Sequence, residues 1–99
     1  MVRIVWTEAS IRDLKEIFEY ISVDSSHYAT LTVNKIYQRA QVLANNPSIG
    51  RVVPEINNKS IRELISGNYR TIYRIKSGTE VDILRVFHSS RFLSRNFIK

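Results

Sequence analysis

The sequence predicts an α+β domain of two layers in the order β-α-α-β-β-β. A helical hairpin is expected on one face of a small, mainly antiparallel four-stranded sheet. A change of hydrophobic rhythm and a pair of compact turns carry that expectation. Apolar residues recur every three or four positions as far as Pro47, and the segments beyond residue 60 are short and β-rich. Those later segments are separated by Gly67-Asn68 and Ser77-Gly78-Thr79, sequences suited to turning a strand back on its neighbour. A chain of 99 residues holds one core, so a single domain over 1–99 is expected.

Each element has its own signal. Val2-Arg3-Ile4-Val5-Trp6 is β-branched and alternates briefly, which reads as a first strand. Thr7 can cap the helix that follows, and Glu8 places an anion in its first turn, where the helix dipole favours one. Ile11, Leu14, Ile17, Phe18 and Ile21 give that helix, about 8–22, an apolar stripe, with Arg12, Asp13, Lys15, Glu16 and Glu19 on the other side. Ser25 or Ser26 caps a second helix. Its stripe is Ala29, Val33, Ile36, Tyr37, Ala40, Leu43 and Ala44, and Asn45-Asn46-Pro47 stops it. The short link between the two makes an antiparallel hairpin. Segments 60–66, 69–76 and 80–88 form a meander, and 89–97 is expected to add one or two helical turns.

Alternation then assigns faces. Arg70, Ile72, Arg74 and Lys76 share one face of the middle strand; Tyr69, Thr71, Tyr73 and Ile75 share the other. Three cations around one isoleucine make a poor core, so that face is expected to point outward as a docking surface. In the last strand Val81, Ile83 and Phe87 fall with Arg85, while Leu84 and Val86 fall with Asp82 and His88. Apolar residues on both faces require a second cover: the C-terminal segment, a second copy or a partner.

Composition narrows the function. The absence of cysteine excludes a disulfide framework and a thiol nucleophile, and with two histidines no metal or cofactor is expected. No apolar run approaches a membrane span and no signal peptide is evident, so a cytoplasmic, soluble protein is expected. The net charge of +6 is one-sided: residues 1–49 hold five bases and five acids, residues 50–99 ten bases against four acids. Seven of those ten are arginines, whose planar forks suit phosphate or carboxylate, and a basic half implies a polyanionic or acidic partner.

Four stretches carry a family resemblance. Trp6-Thr7-Glu8-Ala9-Ser10-Ile11-Arg12-Asp13-Leu14, with Ile17-Phe18-Glu19-Tyr20-Ile21, resembles the opening of RelE/ParE-type toxins. Asn46-Pro47-Ser48-Ile49-Gly50-Arg51 and Val53-Pro54-Glu55 resemble the family's helix-to-sheet connection. Ile61-Arg62-Glu63-Leu64 through Gly67-Asn68-Tyr69-Arg70-Thr71-Ile72-Tyr73-Arg74-Ile75 is similar to its central hairpin, and Val81 through Arg91 to its closing strand. The match covers nearly the whole chain in the right order.

The resemblance implies the toxin of a type II toxin–antitoxin module, bound and silenced by a cognate antitoxin in a hetero-oligomeric complex. The ParE branch poisons DNA gyrase; the RelE branch cleaves messenger RNA on the ribosome. For cleavage, Arg70 would match the family's sheet arginine on phosphate, His88 the histidine of YoeB-type toxins, and Glu55 or Glu63 the base. A metal-free ribonuclease needs a base, a cation and an acid together. The tyrosine that follows that histidine in YoeB is Ser89 here, and RelE's lysine-rich set has no counterpart. A lone histidine at a strand end is also more often a structural hydrogen-bonding residue. Gyrase inhibition, which asks only for a binding surface, therefore ranks first. Ribosome-dependent cleavage is the alternative, and a non-toxic RNA-binding module of the same fold comes third. Target or antitoxin contact is expected at Arg62, Arg70, Arg74, Lys76, Arg85, His88, Arg91 and Arg95.

Overall fold

In the computed structural model, which describes residues 1–91 and 93, two helices pack on a mixed sheet. The chain runs β1 (Arg3–Trp6), α1 (Glu8–Ser22), α2 (Ser26–Gln41), a 3-10 turn (Val42–Ala44), β2 (Arg51–Val52), β3 (Ile61–Ser66), β4 (Tyr69–Ile75) and β5 (Glu80–His88). Both helices begin at the expected caps. The Thr7 hydroxyl accepts the Ser10 N–H at 3.2 Å, and Ser25 accepts the Tyr28 N–H at 3.0 Å. Thr7 also donates to the Ile83 carbonyl at 2.7 Å, so the cap fastens α1 to β5.

The sheet has five strands, in the order β1-β5-β4-β3-β2, rather than the four expected. The extra edge strand, β2, is two residues long and too short to show any periodicity. It forms because Gly50 lets the chain approach β3 and β4 closely. A Cβ at Gly50 would sit 2.5 Å from the Glu63 carbonyl oxygen and 2.6 Å from the Tyr73 hydroxyl. The Gly50 N–H donates to that hydroxyl at 3.0 Å, and the hydroxyl donates to the Pro47 carbonyl at 2.7 Å. The meander is as expected: β3 and β4 pair through the two-residue Gly67–Asn68 turn, with Gly67 at φ +57°. The first strand closes the other side, parallel to β5.

Both faces of the sheet carry apolar cores. On the helix side Ala40, Leu43, Leu64, Tyr73, Val81 and Ile83 pack together. On the second face Val53, Ile61, Ile72, Phe87 and Leu93 form another cluster, joined by Ile56 and Leu84. The second face is therefore not a bare docking surface; the loop after β2 and Leu93 cover it.

Two further expectations are corrected. Ile72 pairs with Arg85 but Tyr73 with Ile83, so Leu84 is one residue too many and the alternation of β5 breaks there. Val81 and Ile83 thus belong to the helix-side core while Phe87 belongs to the second cluster. In α1 the buried residues are Ser10 and Asp13, whereas Ile11 is 55% exposed. Arg95 and most of the expected turns at 89–97 lie outside the described residues.

Candidate functional site

The register of the β3–β4 hairpin sets Glu63 opposite Ile72 and Ile65 opposite Arg70, which places Glu63 and Arg70 diagonally on one face. Arg70 is only 4% exposed, and its fork is occupied on every side. Nε donates to Glu63 Oε1 at 2.7 Å, and Nη2 lies 2.5 Å from the same oxygen. Nη1 and Nη2 donate to the two oxygens of Glu55 at 2.8 and 2.9 Å, and Nη1 also donates to the Arg91 carbonyl at 2.9 Å. Glu63 accepts a further hydrogen bond from Arg51, and Glu55 accepts the Leu93 N–H at 3.1 Å. Two carboxylates face two guanidiniums, so the cluster is neutral. The hydrogen bonds from Arg70 hold the Glu55 carboxyl down at about 2, with help from the Leu93 amide and against the opposing effect of burial. The Glu55 hydrogen bond in turn raises Arg70 further into its charged range.

His88 is elsewhere. It pairs with Tyr69, whereas the neighbouring pair is Phe87 with Arg70, so alternation puts His88 and Arg70 on opposite faces of the sheet. Its ring meets Tyr69 edge-on, with centroids 5.7 Å apart, and its Nδ1 lies 2.8 Å from the Ser90 hydroxyl. The Ser90 N–H donates to the same nitrogen at 3.2 Å. Of the four residues expected to perform cleavage, Arg70, Glu55 and Glu63 come together inside the second face, and His88 does not join them.

The remaining cations are largely engaged within the chain. Arg62 donates to the carbonyls of Gly50 and Lys59, each at 3.0 Å. Arg74 stands opposite Asp82, and Lys76 pairs with Glu80 at 3.3 Å. Burial, reinforced by Glu80, raises the Asp82 carboxyl, while Arg74 and Lys76 oppose that shift. Arg85 makes a two-pronged pair with Asp13, at 2.7 and 2.9 Å. Arg91 is exposed and lies over the Phe87 ring, 4.4 Å from its centroid.

Open apolar surface sits on the helix side, where none was expected. A cavity of about 370 Å³ opens between α1 and β5, with Ile17, Tyr20, Tyr69, His88 and Arg91 around it. A second, of about 210 Å³, is bounded by Ile21, Tyr28, Leu31, Lys35 and the Gly67–Asn68 turn. Tyr69 lines both, so the two depressions adjoin. Tyr20 is 80% and Tyr28 60% exposed. The sequence signal for this surface is two tyrosines that fall off the helical stripes. Among the described residues no three His, Asp or Glu side chains gather as metal ligands would, and no helix is long and apolar enough to cross a membrane. What the geometry offers there is an open, aromatic-rimmed depression that also carries Glu16, Arg85, His88 and Arg91, apart from the buried Arg70 cluster.

Comparison with known proteins agrees with this architecture. Residues 4–92 match the family described as ParE toxin of type II toxin-antitoxin system, parDE. The protein named Putative toxin Y4kP, from Sinorhizobium fredii, is 34% identical over 87 residues, covering 88% of each chain. Two solved structures share the fold. The chromosomal ParDE TA system from P. aeruginosa superposes with a TM-score of 0.73 at 23% identity, covering 89% of this chain and 96% of that one. The RelBE2 toxin–antitoxin complex of Mycobacterium tuberculosis gives 0.62 at 24% identity, covering 88% and 96%. With a family match over nearly its whole length, two helices on a mixed sheet and a curated relative of the same span, the chain belongs to the ParE toxin family of type II toxin–antitoxin systems.

Proposed function

We propose that this toxin arrests growth by binding and inhibiting DNA gyrase, without cleaving RNA, and that a cognate antitoxin silences it. The separation of Arg70 from His88 carries the reading. A phosphate could reach Arg70 only by displacing two carboxylates from a buried fork, and it would then find no imidazole on that face. Inhibition by occupancy needs no proton transfer. It needs exposed surface of mixed aromatic and basic character, which Tyr20, Tyr69, His88 and Arg91 supply. The antitoxin is expected to be an acidic, amphipathic segment that orders on binding, and the adjoining depressions along Tyr28, Leu31 and Tyr69 suit its apolar side.

Two assays on the purified chain separate the readings. Gyrase supercoiling should fall, with gyrase–DNA cleavage complexes accumulating, and the antitoxin should reverse both effects. Ribosome-programmed messenger RNA should stay intact. Cleavage of that RNA, lost in His88→Ala, would replace this reading with ribonuclease action.

A further inference from the structure

The Arg70 cluster does more than balance charge, because it is where three parts of the chain are tied together. The loop after β2 turns back on itself through hydrogen bonds from the Ile56 and Asn57 N–H groups to the Val53 carbonyl, at 3.1 and 2.8 Å. That turn presents Glu55 to the sheet. β4 supplies Arg70 and β3 supplies Glu63. The segment leaving β5 then meets the cluster twice, through the Arg91 carbonyl on Arg70 and the Leu93 N–H on Glu55. An acceptor and a donor two residues apart are what one edge of a strand offers its neighbour. Here side chains take the neighbour's place. With residues 91 and 93 held, the Leu93 side chain seals the second apolar cluster against Val53, Ile61, Ile72 and Phe87. Arg91 adds a third attachment through the Phe87 ring.

We infer that Arg70 is a positioning residue: held between Glu63 and Glu55, it fastens Arg91 and Leu93 over the second cluster, and toxicity depends on it through that fastening rather than through target contact. The assignment rests on the toxin reading but not on which target the toxin acts upon. It follows from the geometry that all sides of the guanidinium are turned toward the chain's own acceptors, leaving no edge for a target.

Glu55→Ala separates the two roles, because it leaves Arg70 in place. Ala offers no acceptor, so Arg70 Nη1 and the Leu93 amide, which share Glu55 Oε2, both lose it. In the full chain the Leu93 amide should exchange with solvent about tenfold faster, the loss of one charge-assisted hydrogen bond. Exchange at Ile72 and Tyr73 in β4 should be unchanged. Growth arrest should fall with the loss of protection. Arg70→Lys, which keeps the charge but lacks the fork, should behave in the same way. The inference is overturned if Glu55→Ala leaves Leu93 protected, if Leu93 is loosened with arrest at full strength, or if Arg70→Lys keeps both. Amide exchange is read on the toxin alone, so a failure of gyrase inhibition would not disturb it.

Discussion

Asp13 is the residue whose removal should cost this fold most for its size. Its carboxylate accepts two hydrogen bonds from Arg85 and the Val86 N–H at 2.9 Å, joining α1 to β5 just beyond the point where β1 stops pairing. Asp13→Ala would leave the Val86 N–H buried without an acceptor, at about 1–3 kcal/mol. It would also take from Arg85 its two-pronged carboxylate, leaving the Phe87 ring 4.6 Å under its guanidinium. The Arg85 side chain is 32% exposed, so water recovers part of the loss and its share is discounted to about 1 kcal/mol. The total is about 3 kcal/mol, a large fraction of the roughly 5–15 kcal/mol typical of small domains. Asp13→Asn keeps one acceptor and should lose about half as much. Urea unfolding followed by circular dichroism measures both, and the alanine variant should lower Tm by more than about 10 °C. A double-mutant cycle with Arg85→Ala should return at least about 1 kcal/mol of coupling. A loss below about 1 kcal/mol for Asp13→Ala, or no coupling, would refute the assignment of Asp13 as the joint.

Gly50→Ala should destabilise by about 1–3 kcal/mol, because its Cβ meets a backbone oxygen that cannot move aside; thermal unfolding reads this. Tyr73→Phe should cost a similar amount, since the Gly50 N–H loses its acceptor and the Pro47 carbonyl its donor. Glu55 titrates at about 2 in the folded chain, well below its ordinary value. Its contribution is therefore fully present above about pH 5 and lost as pH falls towards 2, by about 2–3 kcal/mol. Denaturant unfolding from pH 6 to 2 should show a shallower loss in Glu55→Gln than in the unaltered chain. Tyr20→Ala and Tyr28→Ala should weaken antitoxin binding about tenfold or more by calorimetry, with unfolding changed by less than about 0.5 kcal/mol, because both rings are exposed.

The layered architecture was legible because local signals agreed with it. Thr7 and Ser25 cap the helices, the Gly67–Asn68 turn fixes the register of β3 with β4, and the last strand's two-sided hydrophobicity pointed to a cover. Two of the misses share a cause: a polar group was needed where hydrophobicity suggested another residue. Along α1 the stripe through Ile11 and Phe18 reads as the buried one. The helix instead runs beside the open end of β5, whose Val86 N–H needs an acceptor, so Asp13 turns inward. The same need hid the role of Arg70. The hairpin register alone puts Glu63 beside it, a pairing the sequence contained. Glu55 arrives from an irregular loop and Leu93 from beyond β5, and no periodicity announces either contact. The extra residue at Leu84 reverses every face assignment after it, which strict alternation cannot anticipate.

The parallel union of β1 with β5 joins Arg3 to Glu80, two strands separated by both helices and the rest of the sheet. During synthesis the first strand has no partner until the last one exists, and so long-range a closure is slow. A truncated product lacks Val86 and Arg85, leaving Asp13 with nothing to grip and the rim at Tyr69 and His88 unbuilt. A chain that stops before β5 thus lacks both the joint at Asp13 and the rim of the depression beside it.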